Sequence, residues 1–218
     1  MANVLVACEY SGVVRDAFRR AGHNAVSLDL LPDDSGAKRP RNGVIHIQSD
    51  IRSYLLNAKL ESSKYWDLMI AHPPCTYLCS SGLHWNKRVP GRERLTEHAL
   101  DFVKMLMDAP IPHIAIENPV GRIGTAIRPA DQYVQPYEFG DDASKRTGLW
   151  LKNLPKLKAY PEQYVPPRVV NGKKRWSNQT DSGQNKLGPS ADRWKVRSTT
   201  YQGIANAMAE QWGEYING

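Results

Sequence analysis

Apolar residues in the first two-thirds of the chain fall alternately into short unbroken runs and longer stretches at helical spacing. "NVLVACE" (3–9) is such a run and predicts a buried strand. "GVVRDAFRRAG" (12–22) sets Val13, Val14, Ala17, Phe18 and Ala21 near the helical period and ends on Gly22, which predicts a helix and its C-terminal cap. "NAVSLDLL" (24–31) predicts a second strand and "GVIHIQ" (43–48), after a loop rich in Pro, Asp and Gly, a third. "DLMIAH" (67–72), stopped by Pro73-Pro74, and "HIAIENP" (113–119) predict a fourth and a fifth. Between them, "RERLTEHALDFVKMLMDA" (92–109) predicts a helix with Leu95, Ala99, Phe102, Val103 and Leu106 on one face.

This alternation implies parallel strands joined by crossover helices, so the fold class is α/β with a doubly wound, mostly parallel sheet. Ligands of such sheets bind beyond the carboxyl ends of the strands. The polar residues at those ends are Glu9-Tyr10-Ser11-Gly12, Asp29, Asp50, Pro74-Cys75 and Glu117-Asn118-Pro119. After about residue 135 the pattern changes. "GLWLKN" (148–153) is one more candidate strand. Residues 155–197, rich in Pro, Gly, Ser, Asn and Lys/Arg, predict loops and short pieces. "TYQGIANAMAEQWGEYI" (200–216) predicts a closing helix with Ile204, Ala207, Met208, Gln211 and Trp212 along one side. The expected organisation is a catalytic domain over 1–154, a basic segment over 155–197 and a C-terminal helix over 198–218 that returns to the first domain.

Charge sharpens this division. The net charge is +7, and residues 155–197, with ten Lys/Arg against three acids, carry the whole excess. A localised basic excess fits a polyanion such as nucleic acid, and equally a solvated surface loop. A hydrophobic content of 41% predicts a packed globular chain. No stretch approaches the roughly 20 apolar residues of a membrane span, and "MANVLVACEYSG" does not read as a signal peptide. A soluble cytoplasmic protein with no membrane partner and no obligate protein partner is expected. Three cysteines, Cys8, Cys75 and Cys79, do not make a disulfide framework.

The stretch "HPPCTYLCSSG" (72–82) carries the sharpest chemistry. His72, Cys75 and Cys79 lack the four-ligand pairing of structural zinc. The spacing is one residue too long for either a deaminase P-C-x-x-C or a redox C-x-x-C, so no metal is expected. Cys75 behind two prolines at a strand's carboxyl edge is a candidate nucleophile, or a buried structural thiol. Asp29 suits a ribose hydroxyl, or a turn; Asp50 suits a ligand, or the start of a helix. Glu117 follows an apolar strand, where reduced hydration predicts a raised pKa and a proton-donor role, or else a satisfied capping or turn residue.

In this order these pieces resemble the DNA cytosine-5 methyltransferase family, over residues 4–150 and 197–212. "LVACEYSGVVRDAF" is similar to the family's first S-adenosyl-L-methionine (AdoMet) motif, "SLDLL" and "SDI" to its second and third, and "PPCTYLCSSG" to its P-C-x5-S-G catalytic motif. "ENP" resembles the Glu-Asn-Val signature, and "TYQGIANAMA" the last motif. The first motif lacks two customary glycines, and the Gln-x-Arg-x-Arg motif is reduced to Arg146 between Ser144 and Gly148. The resemblance implies a Rossmann-like AdoMet-dependent methyltransferase fold with Cys75, Glu117, Asn118 and Arg146 as catalytic residues. It implies Glu9, Tyr10, Ser11, Gly12, Asp29, Leu30, Asp50, Ile51, Pro73 and Asn206 as the cofactor site. It also implies DNA as substrate, double-stranded with a flipped cytosine or single-stranded. The expected DNA-binding residues are Ser81, Trp85, Lys87, Arg88 and Arg92, on a mobile loop over 80–95, and Lys173, Lys174, Arg175, Trp176, Arg193, Lys195 and Arg197 of the basic segment. A short recognition region implies reduced or shape-based sequence selectivity and suits a phage or mobile-element protein, in the nucleoid or host cytoplasm. Two alternatives stay open: the same chemistry on a free pyrimidine nucleotide, and a nucleic-acid-binding relative without turnover.

Overall fold

The computed structural model describes residues 1–36, 43–58 and 65–218. All five expected strands form: β1 (Asn3–Ala7), β2 (Asn24–Asp29), β3 (His46–Gln48), β4 (Leu68–Ala71) and β5 (His113–Pro119). The loop expected ahead of β3 lies partly outside the described residues. Between the strands run α1 (Val13–Arg20), α2 (Ile51–Ala58), α3 (Ser80–Leu83) and α4 (Arg92–Met107), and α5 (Ile123–Ala126) follows β5. A short strand without a sequence signal, β6 (Gln132–Val134), and β7 (Thr147–Lys152) complete a seven-stranded sheet of order β3-β2-β1-β4-β5-β7-β6. The first five strands are parallel, and β7 runs antiparallel to both its neighbours. The fold is therefore α/β, doubly wound and Rossmann-like.

The strand order reverses between β1 and β4, which opens a crevice at their carboxyl ends. β4 gives the turn carrying Cys75 a rigid base. All four residues of this strand are fully buried, and each large apolar side chain so buried contributes about 1.5–3 kcal/mol. One face of the sheet packs Val4, Val6, Leu68 and Ile70 against Phe18 of α1 and the C-terminal helices. The other packs Leu5, Met69, Ile114 and Ile116 against Leu55 of α2 and Val103 and Leu106 of α4.

Three expectations need correction. The buried stripe of α4 is Thr96, Leu100, Val103 and Leu106, and Leu95 is 43% exposed. The apolar arc of this helix is wider than the core requires. The stretch 80–95 is built of helical turns, α3 and a 3₁₀ turn over His84–Lys87, leading into α4. The closing helix is α7 (Gln202–Ala207) and α8 (Gly213–Asn217) joined by a π turn at Met208–Trp212. The wider turn lets Met208, Ala209 and Trp212 all be buried. Within 155–197 the structure has a hairpin, β8 (Arg168–Val170) and β9 (Lys173–Arg175), and a short helix, α6 (Arg193–Ser198). Among the described residues no helix is long and apolar enough to cross a membrane.

Candidate active site at the strand ends

The crevice begins where β1 stops. Cys8 takes a left-handed conformation, φ 58°, and the amides of Cys8 and Glu9 both donate to Leu28 O. The turned chain drives Glu9 under α1, where its carboxylate accepts from the Val14 amide at 2.7 Å and the Arg15 amide at 3.2 Å. The chain thus caps its own helix N-terminus with a carboxyl group. A pyrophosphate-bearing dinucleotide finds those donors taken, whereas a nucleoside without phosphates does not need them. Burial pushes the Glu9 pKa up, against opposing pulls from His72, the two amides and Arg15. Gly12 caps α1 at φ 72°, and a side chain there would collide with the Arg15 guanidinium.

Beside this turn lies a cavity of about 290 Å³, lined among others by Cys8, Asp29, Leu30, Asp50, Ile51, Pro74, Tyr77, Leu95, Ala99 and Phe102. That is near the lower end of small-ligand sites, about 300–1,000 Å³. Two carboxylates on an apolar bed suit a ribose and a flat base. Asp29 also accepts the Leu31 amide at 2.9 Å, and burial raises its pKa. Asp50 caps α2 through Arg52 N at 2.9 Å and still faces the cavity. The surplus apolar arc of α4 is the cavity wall. Cys8 lacked any sequence signal; burial, then Asp29 and Asp50, push its thiol up to about 12, so it is an inert wall.

Of the ten residues expected to hold the cofactor, Asp29, Leu30, Asp50 and Ile51 line the cavity; Glu9, Tyr10, Ser11, Gly12 and Pro73 belong to the adjoining turns. Tyr10 is buried, donates its hydroxyl to Lys195 O at 3.0 Å and packs against Trp194. Asn206 does not join them. It is exposed and accepts from Arg20 at the last turn of α1, the end remote from the crevice.

Cys75 follows β4. The His72 amide donates to Ala7 O, which prolongs the β4–β1 ladder, and the Leu78 and Cys79 amides donate to Cys75 O, so Cys75 opens a helical turn. The exit of β5 clasps this turn. Asn118 Nδ2 donates to Pro73 O at 2.7 Å, Ser80 N to Val120 O and Arg122 N to Leu78 O. Gly121 lies so close to Leu78 O that no side chain fits; it too escaped sequence reading.

The two cysteines of the motif act on each other, which the spacing alone did not reveal. Cys79 sulfur lies 3.2 Å from the Ser81 hydroxyl. The two thiols titrate as a pair: their mutual influence, with Ser81, the Gly82 amide and the Arg197 charge, pulls Cys79 down against burial, and the same influence, burial and the charges of Cys79 and Glu117 push Cys75 up, against Lys145.

Glu117 corrects another expectation. Burial is the largest influence and pushes its pKa up, but His72, Lys145 and the Thr147 hydroxyl together hold it below the ordinary value. His72 Nδ1 sits 2.8 Å from Glu117 Oε2, with the two side chains only 8% and 9% exposed. The cation acting on Glu117 and Cys75 is Lys145. The expected Arg146 is exposed and stacks on Tyr133 at 4.2 Å, because alternation next to β7 sends neighbours to opposite sides.

Of the expected DNA-binding residues, Ser81, Trp85, Lys87, Arg88, Lys173, Lys174 and Arg197 are exposed, and Arg193 and Lys195 are half-buried. Three others are committed internally. Arg92 donates to Thr76 O and lies over Tyr77, bracing the nucleophile turn. Arg175 donates to Asp181 O and Lys174 O. Trp176 is 7% exposed and stacks flat on Tyr137 at 4.0 Å. The exposed tryptophan of this segment is Trp194, at 51%.

No family model matches the chain, and no curated protein matches it. Among solved structures, one described as a candidate DNA modification methyltransferase encoded within an E. coli prophage is similar at 16% identity and a TM-score of 0.48. The match covers 69% of this chain and 46% of that one, so the chain spans less than half of its length. A likeness this distant carries no functional argument.

Proposed function

We propose that the chain is an AdoMet-dependent methyltransferase acting on C5 of cytosine in DNA. One observation carries this reading. A thiol and a carboxyl group, Cys75 and Glu117, are tied together at adjacent strand ends through Asn118 and Pro73, beside a nucleoside-sized cavity with two carboxylates.

Asp29 and Asp50 would hold the polar edges of the bound cofactor, with Ile51, Pro74, Ala99 and Phe102 against its flat base. When bound, AdoMet supplies an electrophilic methyl group for C5. Cytosine C5 is a poor nucleophile until C6 is substituted, and Cys75 Sγ makes that bond. Cys75 attacks as the thiolate, its proton given up to solvent as Sγ–C6 forms. Glu117 meets N3 and carries the proton that quenches charge in the ring. Asn118 keeps Cys75 and Glu117 in fixed relation. Transfer of the C5 proton to water leaves its electron pair to form the C5–C6 double bond, and the C6–S bond breaks to release Cys75 as thiolate. A stacked base cannot reach such a crevice, so the cytosine is flipped or unpaired. Exposed Trp85, Lys87, Arg88, Trp194 and Arg197 would supply stacking and phosphate contacts.

Incubation with AdoMet and DNA containing 5-fluorocytosine tests this. A covalent adduct that Cys75→Ser abolishes supports it. Methyl transfer to dCMP or dCTP but not to DNA would replace DNA by a nucleotide. Salt-dependent DNA binding with neither adduct nor methyl transfer would make the chain a binding module.

A further inference from the structure

We infer that His72 is a positioning residue that orients Glu117 and delivers the proton Glu117 uses at N3, an inference that rests on the cytosine-5 reading. Neither residue type nor spacing suggested this role. The contact is a buried bond, Nδ1 to Oε2 at 2.8 Å, between side chains more than nine-tenths buried. It is doubly fixed. The His72 amide is tied to Ala7 O, and the next residue, Pro73, is held by Asn118, the neighbour of Glu117.

The chemistry requires such a group. Glu117 is held in its ionised form by His72, Lys145 and Thr147 despite burial, so it has no proton of its own at neutral pH. Acid catalysis at N3 needs one. Among the described residues, His72 is the titratable side chain in hydrogen-bond contact with it. The transfer balances without a co-reactant. An imidazolium Nδ1–H bond breaks, an O–H bond forms on Glu117, and the electron pair stays on Nδ1. Glu117 passes its proton to N3 as Cys75 bonds to C6, and recovers it when Cys75 leaves.

Carboxyl groups from three elements surround His72. Glu9 comes from the β1–α1 turn, Asp29 from the end of β2 and Glu117 from β5, and all three feel the His72 charge. Lys145 acts on both Glu117 and Cys75, and the Glu117 charge acts on Cys75. His72 Nε2 is buried with no partner among the described residues. Leaving a buried polar atom unpaired is costly, which is consistent with a proton-exchanging position completed by substrate.

His72→Asn tests this, because the amide keeps a donor near the Nδ1 position but cannot release a proton at neutral pH. With fold checked by thermal melting, the variant is expected to bind DNA within about twofold of the parent. Its 5-fluorocytosine adduct should form about 10²-fold more slowly at neutral pH, as for loss of a general acid, and recover as pH falls. Carbon-13 NMR of the Glu117 carboxyl, without DNA or AdoMet, should show its titration moved upward. An adduct rate and pH profile like the parent's would overturn the inference, as would an unmoved Glu117 titration. If the parent protein forms no adduct, the cytosine reading fails, and the Glu117 titration still decides whether His72 governs that carboxyl.

Discussion

The strand-end crevice and the basic segment 155–197 use polar side chains in opposite ways. In the crevice the chain buries polar groups and leaves atoms unmatched: His72 Nε2 and Asn118 Oδ1 lack partners among the described residues. In the basic segment, exposed as it is, polar groups are spent inside it. Arg168 pairs with Asp181 and donates to Gln179 O, Arg175 binds Asp181 O, and Trp176 donates to Val165 O. Charge density is therefore a weaker guide to ligand contact than buried polarity left unpaired, because each orphaned atom costs about 1–3 kcal/mol and water would have satisfied it at the surface. The largest expected effect lies in the crevice. Cys75→Ser should lower methyl transfer by on the order of 10⁴-fold or more, as loss of a nucleophile does. Cys79→Ser leaves the nucleophile in place and should slow adduct formation far less, by roughly tenfold at most. Equal loss in both, read by intact-protein mass spectrometry, would leave the nucleophile undistinguished between the two sulfurs and break the assignment of Cys75.

Glu117→Gln is next, with an expected loss of about 10²–10⁴-fold in turnover and little change in DNA affinity. It also has a signature in stability. The folded pKa of Glu117 lies below the ordinary 4.5, so its favourable contribution is fully present above that value and is lost as pH falls through the folded pKa. Urea unfolding midpoints measured down the acid range should therefore fall less steeply for Glu117→Gln than for the parent. An unchanged acid limb would mean that Glu117 is not held by His72 and Lys145.

The two regions also differed in how far the sequence disclosed them. Strands of the doubly wound sheet were legible because buried parallel strands must be apolar throughout. Their ends located Cys75, Glu117, Asp29 and Asp50, since the topology puts the polar residue after an apolar run into the crevice. What escaped was set by contacts between segments distant in sequence. Gly121 matters through its approach to Leu78, Cys8 through its left-handed turn, and His72 through a carboxylate 45 residues away. Glu117 was read with the wrong pKa direction because burial alone was legible, whereas Lys145 and Thr147 arrive from the far side of β5. Asn206 matched a motif, yet the packing of α7 on α1 sets it at the other end of that helix. In the basic segment composition predicts exposure but not which indole turns inward, and Trp176 and Trp194 have equally polar neighbours.

Those tryptophans give the next contrast. Trp176→Ala removes a buried ring stacked on Tyr137, and large-to-small changes of that kind cost about 3–5 kcal/mol. Its unfolding midpoint should drop by several degrees at least. Trp194→Ala should leave the midpoint nearly unchanged and weaken single-stranded DNA binding by about 1–3 kcal/mol if a base stacks there. Fluorescence anisotropy and thermal melts on the pair check both. A Trp194→Ala protein with parental DNA affinity would remove the segment's one exposed indole from the interface.

The smallest effect separates cations that bind DNA from those that build the hairpin. Lys173 and Lys174 are exposed on β9, whereas Arg168 and Arg175 hold the 179–181 turn. Each phosphate contact releases condensed counterion, so log K against log salt changes by about 0.9 per contact on duplex DNA and 0.7 on a single strand. Lys173→Ala with Lys174→Ala should therefore flatten the slope by about 1.4–1.8 with no change in melting. Arg168→Ala should lower the melting temperature slightly, within the roughly 0–1 kcal/mol of an exposed ion pair, and leave the slope alone. If the slope follows Arg168 and not the lysines, the hairpin's internal bonds yield to phosphate on binding. The contrast between a crevice that waits for its ligand and a segment that satisfies itself would then hold only for the free protein.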